Sequence, residues 1–260
     1  MKFSKFHLMI GRKHVLFVLL LTTTHAFSQR KSLRDSVVNT VLIGMHYKAS
    51  LTAGEMADRW GFNNQIGLDL TNKYKNNMTV GLNAGFIFGN QLRQPEIFAG
   101  LLNEFGTITG TAGTPADILF LMRGVVGHVS AGYVWNRFGN NPNSGFWFSG
   151  GLGYMMHKIR IESLYDNVPQ LQGDYKKGYD KLTMGVSSRQ FIGYLYQADA
   201  RLVKFYAGLE FIQGVTQNVR TYNFDTGGRE DELRFDVMYG LKFGLVMPIS
   251  QRTRGEYYYE

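Results

Sequence analysis

Apolar and polar residues alternate along several segments of about ten residues each, which is a repeat of two residues. From Met78 to Gly89, one face carries Met, Val, Leu, Ala and Phe, while the other carries mainly Thr, Gly and Asn. From Phe235 to Met247 the alternation is again regular, with Asp236 and Lys242 on the polar face. Such a period indicates β-strands whose two faces meet different surroundings.

Eight segments of this kind predict eight strands. They are Val41–Leu51, Phe62–Thr71, Met78–Gly89, Met122–Trp135, Phe146–Met156, Val186–Tyr196, Phe205–Phe211 and Phe235–Met247, of which Met122–Trp135 and Val186–Tyr196 are the less regular. The links near 73–77, 137–145 and 197–203 are short. The links that alternate with them along the chain, near 52–61, 90–117, 157–185 and 213–233, are longer. Short periplasmic turns and longer extracellular loops are typical of outer-membrane barrels. Residues 41–249 are therefore predicted to form an all-β, antiparallel transmembrane β-barrel of eight strands.

A soluble antiparallel sandwich would also alternate, because one face of each sheet is buried and the other is solvated. The predicted strands have about ten residues, whereas strands of soluble proteins average five or six. Their apolar faces are crowded with Phe, Tyr, Trp, Leu and Met, and the opposite faces carry Gly together with charged residues. A narrow barrel interior needs small residues and paired charges, so the composition of the two faces favours the barrel.

The first 28 residues are typical of a secretory signal peptide. Lys2 and Arg12 belong to a basic start, Val15–Leu21 is apolar, and Ala26-Phe27-Ser28 resembles a cleavage site. The apolar run is too short for a membrane-spanning helix, which needs about 20 residues. We therefore expect a signal peptide at 1–28, a periplasmic segment at 29–40, a periplasmic tail at 250–260, and a location in the bacterial outer membrane.

Composition and charge narrow the possible functions. Only 18% of the residues are charged, against about 25% in ordinary soluble domains. The chain has no Cys, which excludes disulfides, thiolate metal sites and a Cys nucleophile. The formal net charge is +8, but half of the excess comes from the first 28 residues and the other cations are scattered. Because a nucleic-acid partner would need a basic face, no nucleic-acid binding is expected.

Charged side chains on the polar faces are the candidate interior residues. They are His46, Lys48, Asp69, Arg123, His128, Arg189, Glu210, Asp236 and Lys242. The interior of an eight-stranded barrel is just filled by side chains. We therefore interpret Arg123, Arg189, Glu210, Asp236 and Lys242 as a structural charge network that keeps the barrel shut. A catalytic or ion-conducting interior is the alternative.

No catalytic motif accompanies these charges. The sequence contains no H-E-x-x-H, P-loop or G-x-S-x-G pattern. We accordingly expect no catalytic, cofactor-binding or metal-binding residues and no cofactor.

The segment Phe27-Ser28-Gln29, the strand Phe235–Met247 and the end Tyr257–Tyr259 carry a resemblance to a known class. The chain resembles the small outer-membrane β-barrel proteins of Bacteroidota and, within them, barrel subunits of the type 9 secretion and gliding machinery such as PorG or PorT. The resemblance implies a non-enzymatic envelope or secretion-machinery component. Its expected partners are outer-membrane lipid and periplasmic or surface proteins of the cell envelope. A narrow pore or transporter and a lipid-modifying barrel enzyme remain open as alternatives.

Overall fold

Eight antiparallel strands close into a barrel in which each strand pairs with its neighbours in sequence and the last pairs with the first. The computed structural model describes residue 37 and residues 39–139, 141–164, 168–197 and 204–250. The strands are β1 (Thr40–Gly54), β2 (Asn63–Lys73), β3 (Met78–Gly89), β4 (Ile118–Trp135), β5 (Gly145–Ser163), β6 (Thr183–Tyr196), β7 (Lys204–Asn218) and β8 (Leu233–Ser250). The predicted all-β barrel of eight strands is confirmed.

The connections differ at the two ends of the barrel. Residues 55–62, 90–117, 164, 168–182 and 219–232 lie at what we call the long-connection end, and the described residues of the other links lie at the short-turn end with the start of β1 and the end of β8. The described residues of the long connections include one short α-helix, α1 (Met56–Arg59), and 3-10 turns at Pro95–Leu101, Pro169–Leu171 and Tyr175–Gly178. A further 3-10 turn, Asn136–Phe138, follows β4. No helix among the described residues is long and apolar enough to cross a bilayer.

Strand register sets the width of the barrel. A path of paired residues that leaves β1 at Gly44 returns to the same strand at Gly54, ten positions further along. The path runs through Asp69, Asn83, His128, Gly153, Ser187, Gly214 and Asp236. Such a stagger requires strands that tilt by about 35–45° from the barrel axis, and eight strands leave an interior only as wide as side chains can fill.

The alternation along each strand sends large apolar side chains outward. Leu152, Met45 and Leu241 are 73%, 69% and 68% exposed, although they are apolar. Outward aromatic residues lie near both ends of this apolar band. Towards the short-turn end they are Tyr133, Trp135, Phe146, Tyr194, Tyr196 and Phe205, and towards the long-connection end Phe86, Phe88, Tyr154 and Tyr239. An apolar band between two aromatic girdles is the surface that a transmembrane barrel presents to lipid.

Several strands continue beyond the predicted limits at the long-connection end. β5 runs to Ser163 instead of Met156, and β4 starts at Ile118 instead of Met122. Above the apolar band the outward residues no longer face lipid, so Lys158 and Arg160 replace apolar side chains on β5. The apolar alternation therefore marks the lipid-facing part of a strand and misses the part that projects above it.

Other sequence predictions concern residues outside this description. The signal peptide at 1–28, most of the periplasmic segment at 29–40 and residues 251–260 of the tail lie outside the described residues.

Sidedness can be tested by labelling single cysteines, since the chain has none of its own. Ala112 and Gln170 are exposed at the long-connection end, and Lys75 is exposed at the short-turn end. We expect Ala112→Cys and Gln170→Cys to react with a membrane-impermeant maleimide on intact cells. Lys75→Cys should react only after the outer membrane is permeabilised. The reverse labelling pattern would show that the barrel is inserted the other way.

Candidate functional site in the barrel interior

A buried group of charges occupies the middle of the barrel. The Glu210 carboxylate accepts hydrogen bonds from Arg189 Nε at 2.5 Å and Lys242 Nζ at 3.0 Å. Lys48 Nζ lies 3.2 Å from the other oxygen of Glu210 and forms an ion pair without hydrogen-bond geometry. All four side chains are at most 3% exposed.

Lys242 joins Glu210 to a second carboxylate. Its Nζ lies 3.4 Å from Asp69 Oδ1, to which Asn83 Nδ2 donates a hydrogen bond at 2.6 Å. The other oxygen of Asp69 is 2.9 Å from His46 Nδ1 and accepts a hydrogen bond from the hydroxyl of Tyr206. Because these groups come from β1, β2, β3, β7 and β8, the network ties together strands on different sides of the barrel.

The charges of this network are unequal in number. Three cations, Lys48, Arg189 and Lys242, face the two carboxylates of Asp69 and Glu210. Buried charges are costly unless they are paired and hydrogen-bonded. The gap beside the network, bounded by residues that include His46 and His128, is too small for a water molecule. The cations therefore depend on the carboxylates for compensation.

An aromatic layer closes the interior towards the short-turn end. The rings of Trp147, Phe191 and Tyr206 meet edge to face, with centroids 5.3 to 5.5 Å apart. Trp147 Nε1 donates a hydrogen bond to Thr79 Oγ1 at 3.1 Å. Tyr206 fits because Gly244 leaves room for it: a Cβ at Gly244 would lie 2.3 Å from the ring. The layer is completed by Leu42, Val134, Leu195 and Val246.

An apolar layer closes the interior towards the long-connection end. Strands supply Ile87, Met122, Val126, Met155, Ile159, Ile161, Ile212 and Met238. The long connections supply Met56, Trp60, Ile97, Phe98, Ile108, Val168 and Leu171, which pack into the same cluster. Phe98 stacks on Phe120 with centroids 3.9 Å apart. The connections therefore form a cap that is part of the hydrophobic core.

Ion pairs fasten the cap around this apolar layer. Lys181 pairs with Asp225 at 2.7 Å and with Glu230, and Arg220 makes a two-pronged pair with Asp180. The link between residues 164–182 and 219–232 is thus made by charge as well as by packing. Burial alone would raise the pKa of Glu230, but hydrogen bonds from Lys181 and Asn218 hold this pKa below its ordinary value.

The structure confirms most of the predicted interior residues. His46, Lys48, Asp69, His128, Arg189, Glu210 and Lys242 are all buried inside the barrel. Asp236 is also inside, but it lies away from the central network and accepts hydrogen bonds from His157 Nε2 at 2.9 Å and Thr216 Oγ1 at 2.5 Å. The prediction for Arg123 is wrong. On β4 the inward positions are even-numbered, like His128, so Arg123 points outward and donates to the Met122 carbonyl at 2.8 Å.

The two uncharged layers were not predicted from the sequence. Charges and hydrogen bonds were expected to fill the interior, whereas they form only the middle of three layers. The even or odd numbering of residues along each strand could have revealed these layers, since residues two apart share a face. Tyr206 shares a face with Glu210, and Met122 and Val126 share a face with His128, because an even number of residues separates each pair.

No group of three potential ligands that could hold a metal ion occurs in the described part of the chain. Within that part, the interior side chains leave no open cleft at the charged layer.

The comparisons with known proteins give structural likeness only. No family model matches the chain, and no curated protein matches it. Neisserial surface protein A (NspA) is similar with a TM-score of 0.40, 10% identity, and coverage of 80% of this chain and 96% of that chain. Ail, the attachment invasion locus protein of Yersinia pestis, has a TM-score of 0.42 and 9% identity, with coverage of 81% of this chain and 99% of that chain. OprG from Pseudomonas aeruginosa has a TM-score of 0.39 and 13% identity, with coverage of 84% of this chain and 99% of that chain.

The barrel lies in the bacterial outer membrane. Its closed strand order leaves no unpaired edge, and its outward band is apolar between aromatic girdles. These are the features that a β-structure needs in order to cross a bilayer. The predicted location is thereby confirmed.

Loss of Glu210 should destabilise the barrel. Glu210→Ala leaves Lys48, Arg189 and Lys242 with too little negative charge, at a cost of roughly 3–5 kcal/mol. Urea unfolding in detergent, followed by heat-modifiable gel migration, measures this loss. Glu104→Ala is the matched control, because Glu104 is exposed in a long connection. Adding Arg189→Met to Glu210→Ala should recover part of the stability. If Glu210→Ala were as stable as Glu104→Ala, the charge network would not contribute to the stability of the barrel.

The cap should loosen in acid. Since the pKa of Glu230 is lowered in the folded state, its contribution is complete above the ordinary value of 4.5 and is lost as pH falls through the lowered value. We expect proteolysis of residues 219–232 to accelerate in that range. Lys181→Met should give fast proteolysis at neutral pH as well. A cleavage rate that is independent of pH in the wild type would contradict this role of Glu230.

Proposed function

We propose that this protein is a non-enzymatic component of the cell envelope that anchors protein partners at the outer membrane. The observation that carries the proposal is the filled interior, with aromatic, charged and apolar layers between the two ends. In the part of the chain that the structure describes, an interior filled in this way offers neither a water-filled passage nor an internal cleft for a substrate. The exposed surfaces of the protein are therefore the parts available for function.

The long-connection end supports such an interaction through one exposed aromatic side chain. Phe105 is 90% exposed at the tip of a turn. The carboxamide of Asn103 fixes this turn: its oxygen accepts hydrogen bonds from the backbone N–H groups of Phe105 at 2.9 Å and Thr107 at 3.0 Å. Its nitrogen donates to the hydroxyls of Thr107 and Thr109 at 2.9 and 3.0 Å.

Such a turn lowers the cost of binding a partner. A turn whose backbone is already held in place loses little conformational freedom on binding, and aromatic anchors dominate many protein interfaces. We therefore place a contact with a surface protein at Phe105. Membership of a secretion or gliding machinery is a narrower form of the same proposal, and it is supported by the resemblance of sequence composition alone.

Affinity purification of variants from native membranes tests the anchor. Phe105→Ala should lose a protein that co-purifies with the wild type. Phe138→Ala should retain it, because Phe138 is 64% exposed but lies at the short-turn end. Loss of the same protein in both variants, or in neither, would overturn the assignment to Phe105.

Conductance measurements test independently whether the protein is a pore. The purified wild type should show no steady ionic conductance in planar lipid bilayers, because its interior is filled. A steady conductance that changes when Lys242 is replaced by Met would show an open interior and would favour the pore over the anchor.

A further inference from the structure

Three polar side chains lie on the lipid-facing wall of β6 and β7. The outward residues of β6 are even-numbered: Val186 and Ile192 are 64% and 51% exposed, and Ser188 and Gln190 lie between them. Gln190 Nε2 donates a hydrogen bond to Ser188 Oγ at 3.1 Å, and Ser188 Oγ donates to Gln213 Oε1 of β7 at 3.3 Å. Gln190 stands about halfway along β6 inside the apolar band, and Ser188 and Gln213 lie closer to its long-connection edge.

Lipid cannot satisfy the remaining polar atoms of this group. Gln190 Oε1, the second N–H of the Gln190 amide and the Gln213 amide nitrogen have no partner among the described residues. Unsatisfied donors and acceptors are costly in hydrocarbon, where no water is available. A single barrel surrounded by lipid therefore leaves hydrogen-bonding capacity unused at this place.

The wall next to Gln190 is low. On the neighbouring strand, Gln190 is paired with Gly150, and a Cβ at Gly150 would meet nothing within 4 Å. Gly150 is paired in turn with Ala131 of β4. A second low place lies around Gly127, where a Cβ would also meet nothing within 4 Å, but the side chains that line it, such as Leu68 and Leu70, are apolar. Small residues beside amide and hydroxyl groups form the composition through which proteins associate within membranes.

We propose that this face, defined by Gly150, Ser188, Gln190 and Gln213, binds a second copy of the same chain within the outer membrane. All copies are inserted in one orientation, so a two-fold axis between them must run along the membrane normal. Each residue near such an axis meets its own counterpart at the same depth. A carboxamide with a free oxygen and a free N–H is self-complementary, so two Gln190 side chains can form a reciprocal pair. Gly150 provides the space for the two walls to approach.

Single cysteines test where the copies touch. Ile192→Cys lies beside the proposed contact, and Leu68→Cys lies on the opposite wall of the barrel. With a membrane-permeable oxidant on native membranes, Ile192→Cys should give a disulfide-linked species of twice the monomer mass, and Leu68→Cys should not. A product of any other mass at Ile192, no product, or equal products at both positions would overturn the proposal.

Two further substitutions test the chemistry of the contact. Gln190→Leu should weaken association by about three- to thirtyfold, which is the range of membrane-embedded side-chain hydrogen bonds. Gly150→Phe should weaken it by filling the space between the walls. Both side chains point outward, so the heat-modifiable migration of the folded monomer should be unchanged. Leu70→Phe on the opposite wall is the matched control. Association that is unaffected by both substitutions would refute this interface, and neither outcome depends on whether Phe105 binds a partner.

Discussion

Closure of the sheet is the constraint on which the rest of this structure depends. Backbone N–H and C=O groups find no partner in hydrocarbon, so a β-sheet can cross a bilayer only when its last strand pairs with its first. Here β8 completes the ring by pairing with β1 from Thr40 to Gly54. Closing only eight strands fixes a narrow interior, and every inward side chain must then fit against side chains from other strands.

The filled interior follows from this limit on space. Glu210 and Asp69 lie on different strands, yet Lys242 reaches both of them. The rings of Trp147 and Tyr206 fill the volume below, and Met56 and Trp60 enter the volume above from a connection. The charged layer is therefore shielded on both sides by apolar side chains, which strengthens its ion pairs and makes the loss of one partner expensive.

Sequence patterns predicted the fold far better than the contacts. Alternation gave β3 its observed bounds, Met78–Gly89, because the whole of that strand faces lipid on one side. It ended β5 too early, where the outward residues leave the lipid. It also misplaced Arg123, although the parity of His128 on the same strand contradicts an inward position. The irregular pattern of β6 arises from Ser188 and Gln190 on its outward face. Contacts such as Lys242 with Asp69 depend on the stagger of the strands, which local patterns do not encode.

The fit between Gly244 and Tyr206 also bears on how such a chain can evolve. The two positions occupy one shared volume, so a larger residue at 244 is tolerated only after residue 206 has become smaller. Selection would therefore act on the pair and not on either residue alone, and substitutions at the two positions should be correlated. An outward residue such as Leu209 has no fixed neighbour of this kind and is free to change independently within the limits of hydrophobicity.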